Sequence, residues 1–150
     1  MKVTLLTLFV LPLAAQAAGP QPTPALDYST ARGTWRGPAQ FQFSSGGTRD
    51  PDAHQIAPMV IDIGTDGKVQ GVIPDAGCKI SGLAKQIATP TYADLDVSLK
   101  GCTDKRFNIR MFGRLTSSRA SKEASLHLSA ATRHVIGKAQ QATITGVLRR

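Results

Sequence analysis

The stretch Ile56–Pro74, IAPMVIDIGTDGKVQGVIP, carries the pattern that decides the fold. Met59, Ile61 and Ile63 precede Asp66-Gly67, and Val69, Gly71 and Ile73 follow it, so every inward candidate has an odd number. Alternation with a period of two is the mark of a strand with one buried face. A two-residue turn at Asp66-Gly67 pairs residues of opposite parity and turns half of this set to water. A three-residue loop, Thr65-Asp66-Gly67, instead pairs Ile63 with Val69 and Met59 with Ile73. The sequence therefore predicts a hairpin with Gly67 in a left-handed bulge position.

The same rule extends in both directions. Upstream, GTWRGPAQFQF (Gly33–Phe43) sends Trp35, Gly37, Ala39, Phe41 and Phe43 to one side and Thr34, Arg36, Gln40 and Gln42 to the other. Downstream, GCKISGLAK (Gly77–Lys85) and ADLDVSLKGC (Ala93–Cys102) hold the two cysteines, and RFNIRMFGRL (Arg106–Leu115) sends Phe107, Ile109, Met111, Gly113 and Leu115 inward, with Phe112 out of pattern. EASLHLSA (Glu123–Ala130) and QATITGVLRR (Gln141–Arg150) close the series, while ATRHVIGKAQ (Ala131–Gln140) has room for one helical turn. About eight such segments joined by short connections predict an all-β antiparallel meander closing into a small up-and-down barrel, with a two-sheet sandwich as the alternative. Inward Gly37, Gly71, Gly113 and Gly146 either leave gaps in the interior or mark bends where strands coil.

The first residues read as an address. Met1-Lys2, an apolar run from Val3 to Ala15 and the small-x-small site Ala15-Gln16-Ala17 predict a signal peptide over residues 1–17, cleaved near Ala17 or Ala18. The run is too short for a membrane span, and the mature chain is expected not to cross a membrane. Residues 18–32, with three of the nine prolines, read as a flexible linker before a single domain over 33–150. The expected location is periplasmic or secreted. There, the even pair Cys78 and Cys102 predicts one disulfide rather than a metal site. Direct pairing of the cysteines puts Ile80 opposite Lys100, whereas matching the apolar faces shifts the register by one. Gly77 and Gly101 are placed to absorb that conflict as a bulge.

Gly33-Thr34-Trp35 on the first strand, together with a disulfide and eight meandering strands, resembles the calycin group of lipocalins and avidins. The resemblance covers the architecture but only Gly33 and Trp35 in motif. TPTYADLD (Thr89–Asp96) does not reproduce the later lipocalin motif, and a single tryptophan does not line an avidin-like site, so no lipocalin or avidin ligand is carried over. Trp35, Phe41 and Phe107 are expected either to plug the barrel as core or to line a small pocket.

Catalytic patterns are sparse. No Gly-x-Ser-x-Gly elbow is present, His127 alternates outward, and His54 and His134 fall in expected loops. Asp50, Asp52 and His54 read as a solvated loop, and Asp62 with Asp66 as turn chemistry, so no enzyme, metal or cofactor is expected. The chain carries +8, or +7 once Lys2 leaves with the signal peptide (17 basic against 10 acidic residues). Arg106, Arg110 and Arg114 are expected to share the outer face of one strand, with Arg36 outward on the first. This predicts a surface for an anionic envelope component or an acidic protein rather than nucleic acid. The expected function is a monomeric, non-catalytic envelope binding protein for an anionic or small apolar ligand or a protein. The alternative is a secreted hydrolase inhibitor acting through the polar loop FSSGGTRDPDAHQ (Phe43–Gln55).

Overall fold

A computed structural model describes residues 31–86, 91–117, 122–135 and 138–150. The signal segment 1–17 and nearly all of the linker 18–32 lie outside the described residues. Among the described residues, no helix is long and apolar enough to cross a membrane.

Among the described residues nine strands follow one another: β1 (Gly33–Ser45), β2 (Thr48–Arg49), β3 (Gln55–Ile63), β4 (Lys68–Ile73), β5 (Cys78–Gln86), β6 (Tyr92–Lys100), β7 (Arg110–Ser117), β8 (Glu123–Val135) and β9 (Lys138–Arg149). From β3 to β9 each strand pairs antiparallel with the next, β3 pairs with β1, and β9 returns to β1 through pairs such as Phe41 with Ile144. Eight strands thus close a barrel, and the two-residue β2 extends β1 at its rim. Closure removes the sandwich alternative and, among the described residues, leaves no long edge strand to pair with other chains.

The hairpin register is the one its parity requires. Ile63 pairs with Val69, Gly67 has φ 78°, and the loop is closed by the Gly64 N–H donating to Lys68 O at 2.9 Å. Inward residues form one core: Trp35, Phe41, Met59, Ile61, Ile63, Leu99, Met111, Leu128 and Ile144 are each less than 2 % exposed. The inward glycines leave no gaps. A Cβ placed on Gly37, Gly71, Gly82, Gly113 or Gly146 would lie 1.8–2.6 Å from a carbonyl oxygen of the neighbouring strand. These are the bends at which strands coil tightly against one another.

The cysteine conflict resolves in favour of the apolar register, with Ile80 opposite Leu99 and Lys79 opposite Lys100. Cys102 then lies beyond the end of β6, yet it bonds to Cys78 with the Cα atoms 4.1 Å apart. Gly77 (φ 68°) and Gly101 (φ 76°), one before each cysteine, take the left-handed turns that bring the sulfurs together. Replacing both cysteines by serine is expected to cost about 3 kcal/mol for a loop of this length while preserving the fold. Denaturant titration followed by circular dichroism checks this, and an unchanged midpoint would contradict it.

Two local expectations are corrected. Lys105–Phe107 is a 3-10 turn and β7 begins at Arg110, so neither Arg106 nor Phe107 lies on a strand. The Asp104 carboxylate accepts from the Arg106 backbone N–H at 3.0 Å and caps that turn. Within residues 131–140 the described backbone is strand on both sides of 136–137, so no helical turn interrupts 131–135 or 138–140, and His134 belongs to β8 rather than a loop.

Candidate binding cleft on the outer wall

The β6–β7 register sets the outer surface. Leu95 pairs with Gly113, which places Asp94 opposite Arg114 and Asp96 opposite Phe112, all facing outward. The Arg114 Nε donates to Asp94 at 2.8 Å, and Arg110 reaches diagonally to donate its Nε to Asp96 at 2.7 Å. Arginine cations also lie over rings, Arg110 5.0 Å from the centroid of Phe112 and Arg114 4.1 Å from that of Tyr92. On the other side of β7, Thr116 pairs with Ser125 and Arg114 with His127 of β8.

Small outward side chains therefore sit between large ones. Thr116 and Ser125 lie beside Arg114 and His127, with Phe112 beyond Arg114 on β7, and the resulting cleft of about 640 Å³ is also lined by Lys85, Asp94 and Asp96. This is within the ordinary size of a small-ligand site. Phe112 stands 51 % exposed in it. The departure of Phe112 from the alternating pattern was its signal in the sequence, since a phenylalanine on the polar face has no core to enter. Two further hollows continue the cleft around the barrel. One of about 480 Å³ shares Thr116 and Ser125 and reaches Val147; the other, of about 440 Å³, shares Ser125 and Val147 and reaches Pro38 and Ile56.

The expected arginine set does not converge. Arg110 and Arg114 lie together on β7, each paired with a carboxylate. Arg106 sits at one end of the barrel in a half-buried knot, where its guanidinium is held by Asp104 and by Asp50 and rests 5.3 Å from the centroid of Phe43. Arg36 is exposed on β1 between Val60 and Arg149. The aromatic candidates also separate. Trp35, fully buried, donates its indole N–H to Ala31 O at 2.7 Å under the Arg150 guanidinium. Phe41 and Phe107 meet edge to face, with centroids 5.0 Å apart, and six residues of strand, roughly 20 Å, separate Phe41 from Trp35.

The loop between Phe43 and Gln55 is largely structured. β1 runs through Ser45, and Pro51–Ala53 forms a 3-10 turn capped by Asp50. His54 and Gln40 hydrogen bond at 2.7 Å through their side-chain nitrogens. Among the described residues, no group of three or more His, Cys, Asp or Glu is placed to hold a metal ion.

Hydrogen bonds from Arg106 hold the Asp104 carboxyl below the usual carboxylate range, and those from Arg110 do the same for Asp96. Carboxyls depressed on folding stabilise the protein above their unfolded pKa, near 4, and lose that contribution as pH falls through the folded value. Melting temperature is thus expected to fall below about pH 4, and less steeply in Asp104→Asn. Equal slopes for the two proteins in a pH series of thermal melts would contradict this.

Comparison with family models, curated proteins and solved structures finds no match.

Proposed function

We propose that the mature chain is an exported, non-catalytic binding protein of the cell envelope that engages its partner through the outer wall of the barrel. The observation that carries this reading is the cleft in which Phe112 is half exposed beside the Arg110–Asp96 and Arg114–Asp94 pairs. An exposed aromatic ring in a hollow of ligand size is a recognition feature. The packed core argues against the barrel interior as the place for a small apolar ligand. The ion pairs argue against a bare anion, because each guanidinium on β7 already faces a carboxylate.

The test is capture from the native envelope fraction by wild type and by Phe112→Ser, followed by mass spectrometry of proteins and analysis of bound non-protein material. Loss of the captured component in the variant supports the reading, and identical capture overturns it. Moderate salt should weaken capture little, since the charges are already compensated.

The second reading, a secreted inhibitor, rests on the pinned loop. The Gly46 N–H donates to Ala139 O, Asp50 is bound by Arg106, and the Gly46-Gly47 tip is exposed. A loop ordered before binding loses less entropy on docking. Replacing Ser45–Arg49 should abolish inhibition of a hydrolase under that reading, and should leave envelope capture unchanged under the first.

A further inference from the structure

We infer that the outer-wall cleft and the hollows continuous with it form a groove for a neutral, chain-like oligosaccharide lying across β7, β8, β9 and β1. This rests on the outer-wall reading and gives that site a ligand class.

Charge is the first observation. The fixed charges lining the main cleft cancel, Lys85 and Arg114 against Asp94 and Asp96. A phosphate or sulfate ligand would lie against Asp94 and Asp96 as well as Lys85 and Arg114, and a simple apolar ligand would cover both ion pairs while offering the carboxylates no further hydrogen bond. Sugar hydroxyls have neither difficulty. Each donates and accepts, and a carboxylate already bound to arginine keeps further lone pairs that can take a hydroxyl proton.

Shape is the second. Phe112, Val147 and Ile56 are 51 %, 53 % and 63 % exposed, and they stand on β7, β9 and β3. Between them the wall carries small hydroxyl side chains: Ser125 opposite Thr116 and Val147, and Thr145 opposite Gln40. Four strand spacings separate β7 from β3, roughly 19 Å around the wall. Apolar and hydroxyl positions thus both line a groove with room for several sugar units in a row. A sugar ring has an apolar C–H face and a hydroxyl rim, so a chain of them presents both kinds of surface. Val147, Pro38 and Ile56 line one hollow together while Phe112 stands in the main cleft, so the apolar surface is divided between two hollows rather than gathered in the single centre of an ordinary protein interface.

Arg110 fits the same arrangement. It lies over the Phe112 ring without lining the cleft, so it steadies the ring while the cleft side stays open to stack on a sugar.

The experiment uses the folded mature protein and backbone amide NMR titration with three probes: an N-acetylglucosamine tetramer, a cellulose tetramer, and a sulfated oligosaccharide of similar length. Binding of a neutral tetramer is expected to shift amides of β7–β9, to be tighter than that of the corresponding disaccharide, and to change little with salt. Phe112→Ala is expected to weaken it by about tenfold, the scale of one lost stacking contact. Ser125→Phe, which fills the groove floor and leaves Phe112 in place, should block it as well. Both substitutions are at exposed positions, and the amide spectrum reports whether each variant is folded.

Binding of the sulfated probe alone, with steep salt dependence, overturns the inference in favour of an anion site. Neutral binding untouched by both variants overturns it by placing the sugar elsewhere. If no probe binds while Phe112→Ser still loses a protein from the envelope capture, the glycan inference fails and the outer-wall reading stands. If neither assay responds, both fail.

Discussion

Replacing Trp35 by alanine is expected to destabilise the protein by about 3–5 kcal/mol, the range found for emptying a large buried aromatic site. The ring is fully buried, and its removal would open a cavity beside Ile61, its partner on β3. Two further contacts go with it. The indole N–H to Ala31 O bond holds the chain just before β1, and the Arg150 guanidinium, 4.3 Å from the ring centroid, brings the end of the chain to the same place. Arg150 also donates to Arg32 O at 3.0 Å, so Trp35 lies where the entry to the first strand and the exit from the last are fastened together. Trp35→Phe keeps most of the volume and loses the hydrogen bond, so it should cost less, about 1–2 kcal/mol. Urea titration followed by far-ultraviolet circular dichroism reads all three proteins, which matters because Trp35 is the chain's one tryptophan. A cost for Trp35→Ala below about 1 kcal/mol would contradict a core role. If that small cost came with loss of a bound ligand, Trp35 would be a pocket residue.

The strands were legible because their buried face repeats every second residue, and the parity of Met59 to Ile73 left one acceptable hairpin register. The disulfide was legible as a conflict, and its resolution by Gly77 and Gly101 follows from glycine's access to left-handed backbone. Phe107 is where the alternation and the backbone part company. In the sequence it alternates with Ile109 and Met111 like a strand residue, yet the Asp104 cap turns the chain into a 3-10 turn and the ring enters the core from the end of the barrel. The signal was present, since an Asp two residues before a backbone N–H that it can accept is a local competitor to strand structure. Arg110 and Arg114 stand together on the outer face of β7 as the alternation requires, and Arg106 does not, but their ion pairs are not legible in the sequence. Whether a guanidinium is free depends on the residue across the sheet, and Asp94 and Asp96 come opposite Arg114 and Phe112 only once β6 and β7 are in register. The inward glycines were ambiguous because a missing side chain reads the same in sequence whether it leaves a void or admits a neighbouring backbone.

That ambiguity supplies the other large expected effect, at Gly113. An alanine Cβ there would lie 1.8 Å from His127 O and 2.7 Å from Leu128 Cα, both main-chain atoms of β8. Side chains can swing aside at small cost, but a strand fixed in a closed barrel moves only by shifting its whole ladder. Overpacking in a core costs typically about 1–3 kcal/mol and occasionally more. With the clash falling on backbone, Gly113→Ala should reach or exceed the top of that range and show as a greatly reduced yield of folded protein or a sharply lowered urea midpoint. Gly64→Ala is the matched control. Its Cβ would come nearest to Asp66 Oδ1, at 2.8 Å, with the closest main-chain atom, Lys68 O, at 3.6 Å. Asp66 is an exposed side chain at a loop tip whose rotation costs only its surface contacts with Lys68, so Gly64→Ala should change stability by no more than about 1 kcal/mol. Because Gly113 sits beneath the outer-wall cleft, any folded fraction of Gly113→Ala must separate β7 from β8, the strands carrying Phe112 and Ser125. That fraction should bind less well than its stability alone explains. Midpoints for the two alanine variants that differ by less than about 1 kcal/mol would show that β7 and β8 do not approach as closely as described.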